Sequence, residues 1–553
     1  MKRIIIFIIT MTAILSAFVK THEYAEVKIN GLLDIKYLQD SKIDIDRTSF
    51  NAKSLPEAVK VYITEKQFKM LGDAGYTVNW TPLRIPKDVE DFTYNEDIGD
   101  SMLTWETRYP DICKRIQIGT SVQGRPLWVL KITDSLDIEE AEPEVKFVST
   151  MHGDEVTGME MEMYMIEDIL KGYYSANDTM QFIVNNTELY MMPLMNPDGM
   201  ANNSRYNANY IDLNRNFPEG TYYEADSVNS TTMPENDAII NWTKSHNFIL
   251  STNYHGGAEV ANYVYDKDFG ISGGSYAASP DDAHAYWLAY GYASRNSRLF
   301  RSTSFTDGVV NGSDWYTIDG GMQDWNYRYH NDMDMTLEIS GTKWPAYSTM
   351  PAYWQENRNS MFWYLSAAHK GIYGVVTDSV SGVPVDATIQ IAGIDKDYYT
   401  DPDCGDYYRI LVPGTYSMTV SCPGFFPQTI ENIVVTDDTD VFKEATEVNV
   451  QLVKDTGISN EQFVVDNLQL LQNYPNPFNP ITTISFINDR TQVLSLNIYD
   501  QAGKLVEKVI DSKFTAGRHS FEFNAERLSS GIYYNVLRTE EGIVKSNKMV
   551  FIK

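Results

Sequence analysis

His152 and Glu155 stand three residues apart at the end of an apolar run, in the stretch VKFVSTMHGDEVTG that covers residues 145–158. A buried strand that stops and presents an imidazole and a carboxylate can hold a metal ion at the edge of a sheet. The pair alone recurs by chance in a long chain. A metal site that activates water needs three protein ligands and an open fourth position. Among eight histidines, His255 is the best third ligand. It ends the apolar stretch FILSTNYH and is followed by Gly256 and Gly257, which allow a tight turn and close backbone approach. His246 falls at a polar helix end, and His284, His330, His369 and His519 have no comparable setting.

Such a site also needs a carboxylate near the metal that does not ligate it, to act as general base. Glu338, in MDMTLEIS, is the acid at the end of an otherwise apolar strand pattern. Burying it is costly without a use or a partner, and a paired structural acid is the plain alternative. Cationic and amide groups come earlier, in SRYNANYIDLNRNF, residues 204–217. Arg205 and Arg215 can bind a carboxylate or polarise a carbonyl. Asn214 adjoins Arg215, so the two can converge on one anion. Either arginine taken alone also fits a solvated surface.

The elements that must position these residues alternate between strand and helix over roughly residues 101–370. LWVLKITD, VKFVSTM, TELYMMPLM and FILSTNY read as buried strands, and MEMEMYMIEDILKGYY and PENDAIINWTKSH as helices. The expectation is an α/β domain with a mixed, mostly parallel sheet flanked by helices. His152, Asn196–Gly199 and His255 all fall after strands, where such sheets gather their ligands. Ahead of it, residues 21–95 read as a small α+β unit with a Pro- and acid-rich linker, either a pro-segment or a structural subdomain. From Gly371 helical periodicity disappears. Residues 371–454 read as a small antiparallel β-sandwich, 455–466 as a polar linker, and 467–553 as a second all-β unit opening with NYPNPFNP.

The chain has 553 residues, is 43% apolar and carries a formal net charge of −30. That balance speaks against nucleic acid as a partner, since phosphate binding needs clustered Lys and Arg. Lys2 and Arg3 precede an apolar stretch from Ile4 to Val19. It is shorter than the roughly 20 residues a membrane span needs, and residues 1–20 read as a signal peptide. Cys404 and Cys422 lie in one β-rich region, where a disulfide stays open, and Cys113 is then left over.

GTSVQGRPLWVLKITD, MHGDEVTG, MNPDG, YIDLNRNFP, NYHGGA, WYTIDGGMQDWNY and TLEIS occur in this order across some 250 residues. With these segments the chain resembles the zinc metallocarboxypeptidases, in their carboxypeptidase N/E/D-like branch. The β-sandwich after Gly371 resembles that branch's transthyretin-like module. The final unit, with NYPNPFNP and the ending KMVFIK, resembles the C-terminal sorting domain of type IX secretion. The resemblance implies a zinc site of His152, Glu155 and His255. It implies that Glu338 activates the zinc-bound water, that Arg205 polarises the scissile carbonyl, and that Asn214 and Arg215 hold the substrate's terminal carboxylate. Tyr316, five residues before Gly321, matches the tyrosine that closes over the substrate. Asp266, eleven residues past His255, and Gln323 match the pocket for the terminal side chain, which implies a preference for C-terminal Lys or Arg.

The expected protein is thus a secreted or cell-surface zinc metallocarboxypeptidase. It would be monomeric, act on peptide or protein C-termini, and be exported through the type IX machinery. Two alternatives remain at this level: a hydrolase of peptidoglycan stem peptides, which Asp266 argues against, and a non-catalytic surface binding protein on the same fold, which the intact ligand set argues against.

Overall fold

The computed structural model describes residues 23–41, 43–45, 56–63, 65–80, 95–219, 231–267, 276–436, 442, 445–455, 468–471, 473, 476, 478–488, 492–501, 504–514, 517–539 and 544–553. The signal peptide expected at 1–20, the linker stretches 81–94 and 456–467, and most of the Gly/Ser-rich loop at 268–275 lie outside these residues. The chain divides into two compact units, 1–455 and 456–553.

The first unit opens with β1 (Glu23–Lys28), β2 (Asp44–Ile45), β3 (Ala58–Ile63) and β4 (Val78–Trp80) in the order β2-β3-β1-β4, with α1 (Leu32–Asp40) and α2 (Glu65–Asp73). All three pairings are antiparallel. Val59, Val61 and Ile63 alternate inward, as a half-buried strand requires. They share one apolar cluster with Val260, Phe305, Val310, Trp315, Tyr316 and Ile318 from the next domain.

That domain is built on eight strands: β5 (Cys113–Thr120), β6 (Pro126–Ile132), β7 (Glu144–Ser149), β8 (Glu188–Met192), β9 (Phe248–His255), β10 (Glu259–Tyr263), β11 (Val309–Asn311) and β12 (Met333–Ile339). Their order is β11-β10-β12-β9-β7-β8-β6-β5. Four of the seven pairings are parallel, among them the central run β12-β9-β7-β8. The other three are antiparallel. The central strands are buried along their whole length, because α3 (Asn95–Arg108), α4 (Thr157–Tyr174), α5 (Asp178–Asn186), α6 (Pro234–Lys244), α7 (Asp282–Arg295), α8 (Met322–Tyr329) and α9 (Met350–Ser366) accompany them. One feature of β7 runs against its apolar pattern. Lys146 is fully buried, and its ammonium pairs with Asp332 at 3.0 Å and donates to Thr243 at 2.7 Å.

Residues 372–454 form two packed sheets. One holds the strands Ile372–Asp378, Asp406–Arg409, Phe425–Phe426, Thr446–Glu447 and Val450–Lys454. The other holds Thr388–Ile391, Tyr398–Tyr399, Gly414–Ser421 and Gln428–Val435. Burial along Ile372–Asp378 alternates strictly, which is the period-2 signature of a sandwich strand. The second unit is also all-β, with a three-stranded and a four-stranded sheet around Phe478, Ile484, Phe486, Leu496, Ile498 and Leu537. Cys113, Cys404 and Cys422 are all free thiols, so the disulfide left open above is not formed. Among the described residues no helix is long and apolar enough to cross a membrane.

Candidate metal centre

The turn after β7 carries His152 and Glu155, and β9 ends on His255. Because β7 and β9 are adjacent and parallel, both deliver their side chains to the same carboxyl edge of the sheet. Gly153 lets the turn come close: a Cβ there would lie 2.1 Å from backbone atoms of Gly199 and Met200. Asn196 holds the arrangement from the neighbouring turn. Its amide donates to the Met151 carbonyl at 3.1 Å, and its Oδ1 accepts from Gly199 N at 2.8 Å.

Three donor atoms meet at this edge. His152 Nδ1 lies 2.9 Å from Glu155 Oε2, and His255 Nδ1 lies 2.9 Å from His152 Nδ1 and 2.8 Å from Glu155 Oε2. Two ring nitrogens that close cannot both carry protons, so at least one lone pair faces a shared point. Burial pushes His255 down to about 4, which keeps its imidazole neutral, the form that ligates metal. Burial would raise the Glu155 carboxyl, but His152 and Lys343 outweigh it and hold it well below the usual range. Two imidazoles and one ionised carboxylate form the donor set of a water-activating zinc site, and the residues fit that ion.

A second layer fixes these donors. Asp212 Oδ1 lies 3.0 Å from His152 Nε2, so a proton on Nε2 has an acceptor and Nδ1 is left to the metal. Lys343 Nζ donates to Glu155 Oε1 at 2.9 Å. Neither Asp212 nor Lys343 was singled out from the sequence. Asp212 lies two residues before Asn214 within YIDLNRNF, but nothing in that string says which way it faces.

Arg205 joins the cluster. Its Nε and Nη2 bind Asp212 Oδ2 at 2.9 and 2.8 Å, which turns Nη1 to within 3.1 Å of His152 Nδ1 and 3.5 Å of Glu155 Oε1. Arg215 Nη1 donates to the Asn214 carbonyl at 3.0 Å and lies 3.9 Å from Asp212 Oδ2. Asn214 Oδ1 accepts from Met322 N at 3.0 Å, tying this loop to the start of α8. Glu338 is the register partner of His255 across β12 and β9, and partners in neighbouring strands project to the same face. Asp266 is 1% exposed. Its Oδ1 accepts from Asn262 Nδ2 at 3.0 Å and Gln323 Nε2 at 3.1 Å, while its backbone N–H donates to Asp324. Tyr316 is buried in the apolar cluster that includes the N-terminal strands, in a segment whose Gly312 and Ile318 lie against Asp266.

A three-donor centre at the carboxyl edge of a mixed sheet, flanked by a carboxylate and a guanidinium, defines a single-metal hydrolase site. Residues 98–360 match the family model for zinc carboxypeptidases. Human carboxypeptidase D is 35% identical over 410 residues, covering 70% of this chain and 29% of the relative. The mouse carboxypeptidase N catalytic chain is 37% identical over 372 residues, covering 61% of this chain and 81% of the relative. The chain therefore belongs to the zinc carboxypeptidase family, whose metal is Zn2+. It spans under a third of the length of carboxypeptidase D. The solved carboxypeptidase A from Helicoverpa armigera aligns with a TM-score of 0.47 and 16% identity, covering 62% of this chain and 96% of that one. Residues 472–553 match a secretion system C-terminal sorting domain, which makes this a secreted or cell-surface protein.

Proposed function

We propose that this protein is a zinc carboxypeptidase that removes single C-terminal residues from peptides or proteins, with a preference for Lys and Arg. The observation that carries the reading is the meeting of His152 Nδ1, His255 Nδ1 and Glu155 Oε2 within 2.8–2.9 Å. Zinc held there supplies a Lewis acid and lowers the pKa of water. Glu338, on the His255 side of the sheet, takes the proton of the attacking water and returns it to the leaving amine. Arg205 Nη1 stabilises charge that develops on the scissile carbonyl oxygen. Arg215 and Asn214 hold the terminal carboxylate, which restricts cleavage to the last residue. Asp266, fixed by Asn262 and Gln323, receives a cationic side chain. What supports that last step is a buried carboxylate held rigidly by neutral donors.

The domain boundaries follow the same reading: a leader at 1–20, an α+β unit and linker over 21–95, the peptidase domain over 96–370, the β-sandwich over 371–454, a linker over 455–466 and the sorting domain over 467–553. The α+β unit acts as a pro-segment. The apolar cluster it shares with Tyr316 supports this, because a tyrosine packed under it is not free to close over a substrate. Cleavage within residues 81–94 would then raise activity.

Glu338→Gln is the test of the mechanism. The variant is expected to keep its zinc and lose about 10²- to 10⁴-fold in kcat. A variant as active as the natural protein would overturn it. Rates on paired peptides ending in Lys and in Leu test the preference, and faster cleavage of the Leu peptide refutes it.

A further inference from the structure

The β-sandwich meets the peptidase domain at two kinds of contact. One kind reaches the segment that precedes β7. Tyr408 Oη donates to the Ala141 carbonyl at 2.6 Å. The other lies behind the pocket wall. Arg409, in the strand Asp406–Arg409, is 1% exposed and pairs through Nη2 with Asp281 Oδ1. Its guanidinium carbon stacks 4.2 Å from the centroid of the Tyr398 ring. Asp281 precedes α7 and is fully buried. Its Oδ2 accepts from Tyr327 Oη at 3.0 Å, and its own N–H donates to the same hydroxyl at 3.1 Å.

Tyr327 lies on α8, the helix that also carries Gln323 and Asp324. Together with Asn262 they fix Asp266, Gln323 at the side chain and Asp324 at the backbone N–H. The Tyr327 ring packs edge-on to Tyr265, with centroids 5.5 Å apart, and Tyr265 is the residue before Asp266. Lys396 of the sandwich adds a cation 5.3 Å from the Tyr327 ring centroid, and its Nζ donates to the His330 carbonyl just past α8 at 3.1 Å. Thus α8 is held on one side by the pocket segment and on the other by the sandwich.

We propose that Arg409 is a positioning residue for the side-chain pocket, acting through Asp281 and Tyr327 on α8 and thereby on Asp266. The β-sandwich is then the rear wall of the specificity pocket. The physical reason is the cost of an uncompensated buried charge. Without Arg409 the Asp281 carboxylate loses the cation paired with it at a site without water access, and the surroundings must shift to rehydrate or protonate it. The groups that shift first are those hydrogen-bonded to Asp281, and Tyr327 is one of them. His152 and Glu155 lie in the turn after β7 and His255 at the end of β9, and α8 touches that side at its first residue, through Met322 N on Asn214 Oδ1, so the effect of Arg409 falls mainly on side-chain recognition. The inference rests on the reading of Asp266 as the pocket acid.

The test uses the full-length protein with zinc bound, and variants Arg409→Met, Arg409→Lys, Tyr327→Phe and Tyr408→Phe. KM, kcat, Tm and zinc content are measured on peptides that end in Arg and in Leu. Arg409→Met is expected to raise KM for the Arg peptide within a range of about 2- to 30-fold, with kcat and the Leu peptide little changed. Arg409→Lys, which keeps a cation, should recover most of the loss. Tyr327→Phe keeps the ring and loses the hydroxyl, so it should shift KM in the same direction by less. It also serves where Arg409→Met does not fold. Tyr408→Phe should lower Tm without moving the Arg-to-Leu ratio. The proposal falls if Arg409→Met or Tyr327→Phe folds with an unchanged ratio, or if Tyr408→Phe moves the ratio as far as they do. The natural protein's own ratio tests Asp266 separately: a preference for Leu there defeats the pocket reading, whereas a preference for Arg that the variants leave intact defeats only the role of Arg409.

Discussion

Two of the three metal donors, His152 and Glu155, sit in one turn, and the third ends the adjacent strand. Asp266, the proposed pocket acid, is instead held by Asn262 on β10 and by Gln323 and Asp324 on α8, and the end of α8 is bonded by Lys396 of the β-sandwich. The metal centre is thus a local construction at one sheet edge. The pocket is a distributed one, whose geometry depends on how separate elements dock. Geometry of the second kind is open to change from elements distant in the chain.

The largest effect that separates the two regions is loss of the metal. His255→Ala, or chelation of the natural protein, should reduce turnover to background for every peptide alike. Zinc bound at about a thousand times its Kd contributes about 4 kcal/mol to stability, so Tm should fall as well, read by calorimetry with and without chelator. If His255→Ala retained zinc and turnover, the donor assignment would be wrong.

Asp266→Asn should act on one substrate class only. A hydrogen bond to a charged group contributes about 1.5–3 kcal/mol, so kcat/KM for Lys- and Arg-ended peptides should drop about 10- to 100-fold while Leu-ended peptides hold steady. An equal drop for both would place Asp266 in the general scaffold. Asp212→Asn is a finer probe of the metal side. Asparagine keeps an oxygen for the His152 ring but loses the charge. The expected loss is about tenfold in zinc affinity, the low end for such outer partners, measured by competition with a chelating dye.

The smallest effect concerns the acids at the edge of the β-sandwich. Burial and the charge of Asp401 push the Asp406 carboxyl up to about 8, and burial and Asp134 do the same to Glu142. A carboxyl raised in the folded state stays protonated where the unfolded chain has already ionised. Stability therefore falls as pH rises from about 4, the unfolded value, to about 8, and the loss is complete above that. Tm measured between pH 7 and 8.5, above the range in which the histidines lowered by burial titrate, should decline, and Asp406→Asn should flatten the slope. A Tm that climbs over this window would contradict it.

Much of the metal centre was legible in the sequence because its signals are short. An apolar run that stops at a His and a Glu, a second that stops at a His before two glycines, and an acid in an apolar strand each carry their meaning within a few residues. The strand and helix alternation likewise pointed to the α/β class with a mixed, mostly parallel sheet, and four of the seven pairings are parallel. The outer layer was not legible. Asp212, Lys343 and Asp281 look like ordinary polar residues, and Lys146 in a buried strand looks misplaced until Asp332 appears beside it.

What the sequence determined by itself was the identity of the donors and the order of the elements that carry them. Periodicity and residue type act locally, and each survives being read in one dimension. What only the tertiary structure decided was which charges face each other: His152 with Asp212, Glu155 with Lys343, Asp281 with Arg409. A buried charge needs a partner, but the chain can bring that partner from any distance, here from 60 to 188 residues away.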